Sequence, residues 1–449
     1  MKMYRKTFWI LAVICCYFLA QATFFAVHNP PGIAPDEGFH RKQIYVFAEY
    51  PLLFLQPQNV GTYNGTVGSH SFLYHLLLSI PIQITQKASI AIDNWYPILR
   101  GINVLLSFAT LLCFIQLAKL LLKKDIYVIF AALLYTNILM SPFIGASISY
   151  DNLTNLLGVS MIWTFFLLRN TRKIHYFFLT VLFVSLGMIT KTALLPLCAI
   201  IAIATALTLV HWHVGKHKHV VHLTHLSWGT KFLAVLAIVS AAYSSSIIIK
   251  NVVAYGSIEP SCDQIYSHKL CMIGNPVYAK YSGIQAAAKS RKGVLMEPFQ
   301  YSFYWSNYML RTMTGIFAHR AYFQDRHLYS YMQILAFTGV VAIIRNFRRR
   351  KKEHTDICIG LYIFCAYALV LMYYVNYRSY LRLRWQPMLE FAGVQGRYIF
   401  PVISVFLIAL SYYALHPFEG KRMPQIAIVA GVSAFMCYFG IVSYLQHAY

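Results

Sequence analysis

Carboxylates are scarce in this chain. Asp and Glu number 14 against 38 Lys and Arg, giving a formal net charge of +24 over 449 residues. Charge of either sign is also scarce, at 12%, where an ordinary soluble domain carries about 25%. That excludes a conventional water-soluble fold. The apolar runs do not alternate in polarity, which excludes a β-barrel. No glycine-rich phosphate loop and no nucleotide-binding βαβ unit occurs. With no soluble domain to grip nucleic acid, the basic balance points instead to basic loops and anionic lipid ligands. No small-residue cleavage site follows the apolar stretch from Phe8 to Val27, which is also long for a signal sequence. We expect a retained first span with its N-terminus inside.

What the chain has is apolar length. Runs fall at roughly 8–27, 101–122, 126–146, 153–168, 174–189, 192–212, 231–249, 330–346, 357–375, 398–415 and 425–445. Most approach the ~20 residues a helix needs to cross ~30 Å of hydrocarbon. Unpaired backbone is too costly in lipid, so the spans must be helical. The expected fold is an all-α polytopic membrane protein, a single integral domain of about eleven transmembrane helices, ten to thirteen at the extremes.

The stretch 71–85 tests the topology, because it is short, contains Pro81 and has polar flanks. If it does not cross, Lys123-Lys124, Arg169, Arg172, Lys173, Lys216, Lys218, the run Arg345 to Lys352 and Lys421-Arg422 all fall inside. If it crosses, all of them fall outside, against the positive-inside rule. We therefore expect 71–85 to lie at the outer interface or to re-enter. Segments 28–100, 250–329 and 376–397 then face outward. Asp125, Glu353, Asp356 and Glu419 are the inner acids, and the other ten of the 14 are external.

Seven of nine cysteines lie in or beside spans, and Cys262 and Cys271 share an external loop. Their spacing in an oxidising compartment suggests a disulfide, with two free thiols as the alternative. His211, His213, His217, His219, His222 and His225 crowd one loop. They read as a basic cytoplasmic loop at a helix end more readily than as a metal site.

Four short motifs carry ionisable groups to the external side. Pro35-Asp36-Glu37-Gly38-Phe39-His40-Arg41 follows the first span. A carboxylate there can act as a general base on a hydroxyl or hold a divalent cation. His40 adds a proton carrier and Arg41 a phosphate partner. The same residues also suit an acidic helix start. Ser149-Tyr150-Asp151-Asn152 puts Asp151 between two apolar helices, as a functional acid or an N-cap. Lys191, after Thr190, could bind a lipid phosphate or snorkel. In Gln395-Gly396-Arg397-Tyr398-Ile399-Phe400-Pro401, Gly396 would let a ligand approach the backbone and Arg397 could clamp a phosphate. Interface anchoring by Arg397 and Tyr398 is the alternative. Arg378, Arg382 and Arg384 add further external cations. A phosphate-bearing substrate on that face would most naturally be lipid-linked, because nucleotide sugars and ATP are not available there. The sequons Asn64-Gly65-Thr66 and Asn152-Leu153-Thr154 matter only in a eukaryotic secretory pathway.

The acidic pair soon after the first span resembles the first-loop motif of the GT-C superfamily of membrane glycosyltransferases. Taken with SYDNLTNLL, GMITK and QGRYIFP, PDEGFH looks most like the bacterial GT-C-like family known as domain of unknown function 2142, over residues 8 to 410. The resemblance implies a polyprenyl-phosphate-linked sugar donor, a glycan or glycolipid acceptor and interfacial helices in the first external loop. It also implies a bacterial inner-membrane location with the site on the periplasmic or extracellular face. It makes Asp36 the catalytic base and Glu37 its companion, with Asp151 a second acid and Lys191 and Arg397 at the donor phosphate. Members differ in metal use, so a divalent metal stays open. Two rivals remain. An O-antigen polymerase or ligase would rely on the arginines from Arg378 to Arg397. A lipid-linked sugar flippase or transporter would need polar mid-membrane residues and repeated halves, and the midsections here are apolar.

Overall fold

The structure is a computed structural model. It describes residues 5–52, 71–90, 92, 94–214, 227–274, 278–279, 282–283, 286, 295–314, 316–317, 321–322, 326–346, 352–383, 394–442 and 444–445. The sequon at 64–66, His217, His219, His222, His225 and Arg384 lie outside these. Among the described residues the fold is helical, apart from one ladder pairing Ile316–Phe317 with Ala321–Tyr322.

Among the described residues, seven segments are long and apolar enough to cross a membrane: Arg5–His28, Tyr96–Leu121, Thr192–Trp212, Trp228–Tyr255, Thr355–Leu381, Gly396–Phe418 and Arg422–Val442. The chain is a multi-pass membrane protein. Asp125–Asn137, Ile174–Met188 and Gln333–Ile344 are apolar but shorter. We number the first ten helices α1 (Arg5–His28), α2 (Glu37–Glu49), α3 (Leu73–Lys87), α4 (Tyr96–Leu121), α5 (Asp125–Asn137), α6 (Met140–Gly145), α7 (Asp151–Thr171), α8 (Ile174–Met188), α9 (Leu195–Val214) and α10 (Trp228–Tyr255).

One expected span is broken. The run 126–146 forms α5 and α6, separated by extended backbone at Ile138 (φ −74°, ψ 107°). Pro142 explains the break, because it has no N–H and its ring would strike the carbonyl four residues back, at Ile138.

α4 packs on α7, α7 on α8, and α8 on α10, while the Phe400–Leu415 helix fills the centre against α5, α7 and the Lys352–Leu369 helix. Apolar burial alone drives little association in lipid, so close approach and polar contacts matter. Gly158 of α7 meets Pro401 so closely that a Cβ there would lie 2.7 Å from the proline Cβ. Thr180 donates to Thr164 across α7 and α8 at 3.1 Å.

Charged contacts sort to the two ends of the bundle. At one end Lys124 pairs with Glu419 at 2.6 Å, and Arg169 with Asp356 at 3.0 Å. Arg100 and Lys119 sit near opposite ends of α4, ~29 Å apart at 1.5 Å per residue. Residues that the charge pattern assigned to one face thus pair with one another. At the other end α2 and α3 pack side by side. The stretch 71–85 is accordingly part of a helix, α3, with Pro81 inside it. A disulfide joins Cys262 to Cys271 in the loop after α10, and the other seven cysteines form no disulfide among the described residues.

Candidate functional site

The α2 sequence buries Glu37, His40, Ile44 and Phe47, three to four residues apart and so on one face. That face is polar at its N-terminal end, which is unusual for a helix packed into a membrane protein. It meets α3, Arg100 of α4 and Tyr150, the residue before α7, and this sets the site.

Glu37 is fully buried and held by Arg100, whose Nε and Nη2 each donate to it at 2.8 Å. Gly32 N (2.8 Å) and Ile148 N (3.2 Å) donate as well. Arg100 spends its other donors on the carbonyls of Ala26, Asn29 and Pro30. Bidentate geometry makes this a strong, fixed contact. Every Glu37 oxygen is taken, so the companion-acid role expected for it gives way to a positioning one: it ties the end of α1, α2 and α4 together.

Asp36 precedes α2 in the left-handed region (φ 62°), which Asp tolerates better than most residues. It occupies the N-cap position but its side chain caps nothing. The carboxylate turns instead to Arg397, whose Nη2 donates to Oδ2 at 2.8 Å. The Asp36 side chain is 42% exposed and that of Arg397 3%. Arg397 Nη1 also lies 3.4 Å from Asp151 Oδ2.

Asp151 is buried and pairs with Lys191. Lys191 does not snorkel: its Nζ lies 4.3 Å from the Tyr150 ring and 4.2 Å from the Tyr398 ring, a desolvated cation–π setting. Nor is Asp151 the N-cap of α7. That position is Tyr150, and Ser149 Oγ accepts from Asp151 N at 3.2 Å. Asn152 donates to Asn103 and to the carbonyls of Ile144 and Ser147, and Tyr74 donates to Asn103 at 3.0 Å. Asn152 is therefore closed to modification. Tyr367 donates to the carbonyls of Ala193 and Tyr398, tying Lys191's turn to the Arg397 turn.

His40 is buried against Tyr150, with ring centroids 4.4 Å apart. Its Nδ1 is 3.0 Å from Nε2 of His75. Burial pushes the His40 imidazole down to about 3 despite Asp36 and Asp151 nearby, and pushes His75 well below the ordinary range. Both rings are neutral at ordinary pH. Among the described residues, His40 Nε2 and Arg397 Nε and Nη1 are buried and make no hydrogen bond.

Sequence reasoning thus brought Asp36, His40, Asp151, Lys191, Arg397 and Tyr398 to one place. It did not bring Arg41, whose guanidinium sits 4.5 Å over Tyr96, beside Arg100. Nor does Gly396 open the backbone to a ligand. A Cβ there would lie 2.3 Å from Met313 Cγ and 2.8 Å from Met313 N, so it serves close packing on the Pro298–Thr314 helix. Gly396 N also donates to Thr312 at 2.7 Å. Arg100 was missed, although an ionisable group at the mouth of an apolar run is a signal. His75 gave no signal of its partner. Glu259 was missed too. It is reached by water yet crowded by protein, which pushes its carboxyl up, while a hydrogen bond from Thr192 holds it down.

A divalent cation needs several oxygen donors with free lone pairs. Asp36 and Asp151 already face Arg397 and Lys191, and among the described residues no three His, Cys, Asp or Glu gather as a metal-binding group. As paired, the donors do not fit a metal.

No protein-family model matches this chain, and no curated protein matches it in sequence.

Proposed function

We propose that this chain is a membrane glycosyltransferase of GT-C type. It moves a sugar from a polyprenyl-phosphate donor to a hydroxyl of a cell-envelope glycan or lipid, on the non-cytoplasmic face of a bacterial inner membrane. The observation that carries the reading is the Asp36–Arg397–Asp151–Lys191 cluster, in which one water-accessible carboxylate adjoins two buried cations. Among the described residues, Arg397 Nε and Nη1 make no hydrogen bond, and their N–H groups suit a phosphate oxygen. An apolar cavity of about 570 Å³ adds support. Its lining includes Met313, which touches Gly396 beside Arg397, and continues along Ile403, Leu407 and Leu410. Such a groove suits an isoprenoid tail below a phosphate.

In this reading Asp36 takes the proton of the acceptor hydroxyl. The acceptor oxygen bonds to the anomeric carbon as the bond to the phosphate oxygen breaks, and polyprenyl phosphate departs with the electron pair. Lys191 and Arg397 stabilise the charge that grows on the phosphate. Direct displacement inverts the anomeric centre.

The test is Asp36→Asn in proteoliposomes with a radiolabelled polyprenyl-phosphate sugar, beside the surface glycans of the host. Loss of a general base predicts a fall of about 10²–10⁴-fold with thermal unfolding unchanged. If Asp36→Asn leaves the glycans intact while Arg382→Ala or Arg384→Ala abolishes them, a polymerase or ligase replaces this reading. If none of these variants changes any glycan, the reading fails.

A further inference from the structure

The opposite end of the bundle holds a second site, independent of the reading above. A cavity of about 1270 Å³ opens between α1, α5 and the Arg422–Cys437 helix. Its rim is cationic, with Arg5, Lys6, Lys123, Lys124 and Arg422, and Asp125 is the one acid in the lining. Asp125 accepts from the Thr7 hydroxyl at 2.7 Å, and Lys124 is paired with Glu419. Among the described residues Arg5, Lys6 and Arg422 have no carboxylate within ion-pair distance. Below the rim the walls turn apolar, with Ile129, Leu133, Ile426 and Val429.

The depth of the groove is set by helix register. It runs from Arg422 at the rim to Ser433 at its deep end, a rise of ~16 Å at 1.5 Å per residue. That is about half of a ~30 Å hydrocarbon core, one leaflet. Arg5, Lys6 and Arg422 at the headgroup level, above an apolar trough one leaflet deep, match the chemistry of a single class of molecule. A soluble anion would leave the trough unfilled. A zwitterionic lipid would leave the rim uncompensated.

We propose that this groove binds an anionic phospholipid, with its phosphate on Arg5, Lys6 and Arg422 and an acyl chain along Ile129, Leu133, Ile426 and Val429. α1 and the Arg422–Cys437 helix both pack on α5, so the lipid braces the first and last helices of the bundle against it.

The experiment uses the full chain, delipidated in detergent, with binding read by native mass spectrometry. The probes are phosphatidylglycerol, phosphatidylcholine with the same acyl chains, and soluble glycerophosphoglycerol. Each basic residue near an anionic lipid contributes about a fivefold factor. Phosphatidylglycerol should therefore bind at least tenfold tighter than phosphatidylcholine, and the Arg5→Gln/Lys6→Gln/Arg422→Gln variant should lose about a hundredfold. Ala430→Trp fills the trough and keeps the charges, and it should also abolish tight binding. The soluble headgroup should bind far more weakly than the lipid. Equal affinity for the two lipids overturns the proposal, and so does an unaffected triple variant. A headgroup that binds as tightly as the lipid would make this a phosphate site, and an unaffected Ala430→Trp would reduce it to surface charge. If a variant fails to fold, the comparison of the two lipids on the native chain decides.

Discussion

Arg100→Met would test the clamp that fixes the first loop. Arg100 and Glu37 side chains are 5% and 0% exposed, and two 2.8 Å contacts join them. Removing the guanidinium leaves Glu37 with Gly32 N and Ile148 N alone. It also takes a donor from the carbonyls of Ala26, Asn29 and Pro30. Breaking a buried pair at one partner costs about 3–5 kcal/mol, because a charge is left uncompensated. Glu37→Met should cost a similar amount. The double variant removes both charges, so its cost should fall short of the sum by at least ~2 kcal/mol. Reversible unfolding in mixed micelles gives these values, and hydrogen exchange over 29–49 should show α2 losing protection in each single variant. If both single variants cost under about 1 kcal/mol and add, the pair does not hold the loop and the positioning role assigned to Glu37 is wrong.

Gly396→Ala drives a methyl into the backbone of Met313 as well as its side chain. We expect a loss of about 1–3 kcal/mol, read by the same unfolding assay, together with reduced transfer as Arg397 shifts. Stability should also depend on acid. The His40 imidazole falls from an ordinary 6.5 to about 3 in the fold, so between these values the unfolded chain binds the extra proton. Stability is complete above pH 6.5 and declines as pH drops toward 3, by up to about 1.4 kcal/mol per pH unit for this group. His40→Gln should flatten that decline, and an unchanged slope would show that His40 is not the group responsible.

Much of the architecture was legible because lipid leaves the chain few choices. Apolar length marked the helices, and charge parity grouped Lys124 with Glu419 and Arg169 with Asp356, which pair in the fold. Spans 126–146 and 357–375 were harder. Pro142 splits the first, and the second runs on through a π-helical stretch at Val370–Tyr377, and neither interrupts hydropathy. Within the site, single residues were legible where an ionisable group stood alone in apolar surroundings, as Asp151 and Lys191 do. Pairings were not, because Asp36 with Arg397 or Glu37 with Arg100 depends on helix rotation. That is why the burial of Glu37 could not be told from that of Asp36. One residue along the chain separates a carboxylate that meets water from one sealed under four donors. Gly396 misled for a related reason, since a glycine beside a charged residue suits a ligand or a helix equally until the helix is seen.

Asp36 and Arg397 stand 361 residues apart, and that separation has a consequence for biogenesis. A ribosome adding ~5–20 residues per second needs roughly 20–70 s to travel between them. During that interval Asp151 and Lys191 emerge and can pair, while Asp36 stands at the mouth of the nascent bundle without its cation. The charged cluster closes only when the Phe400–Leu415 helix inserts between α5 and α7. A chain truncated just before Arg397 therefore keeps five of the seven helices long and apolar enough to span among the described residues, and lacks the residue that joins its two acids.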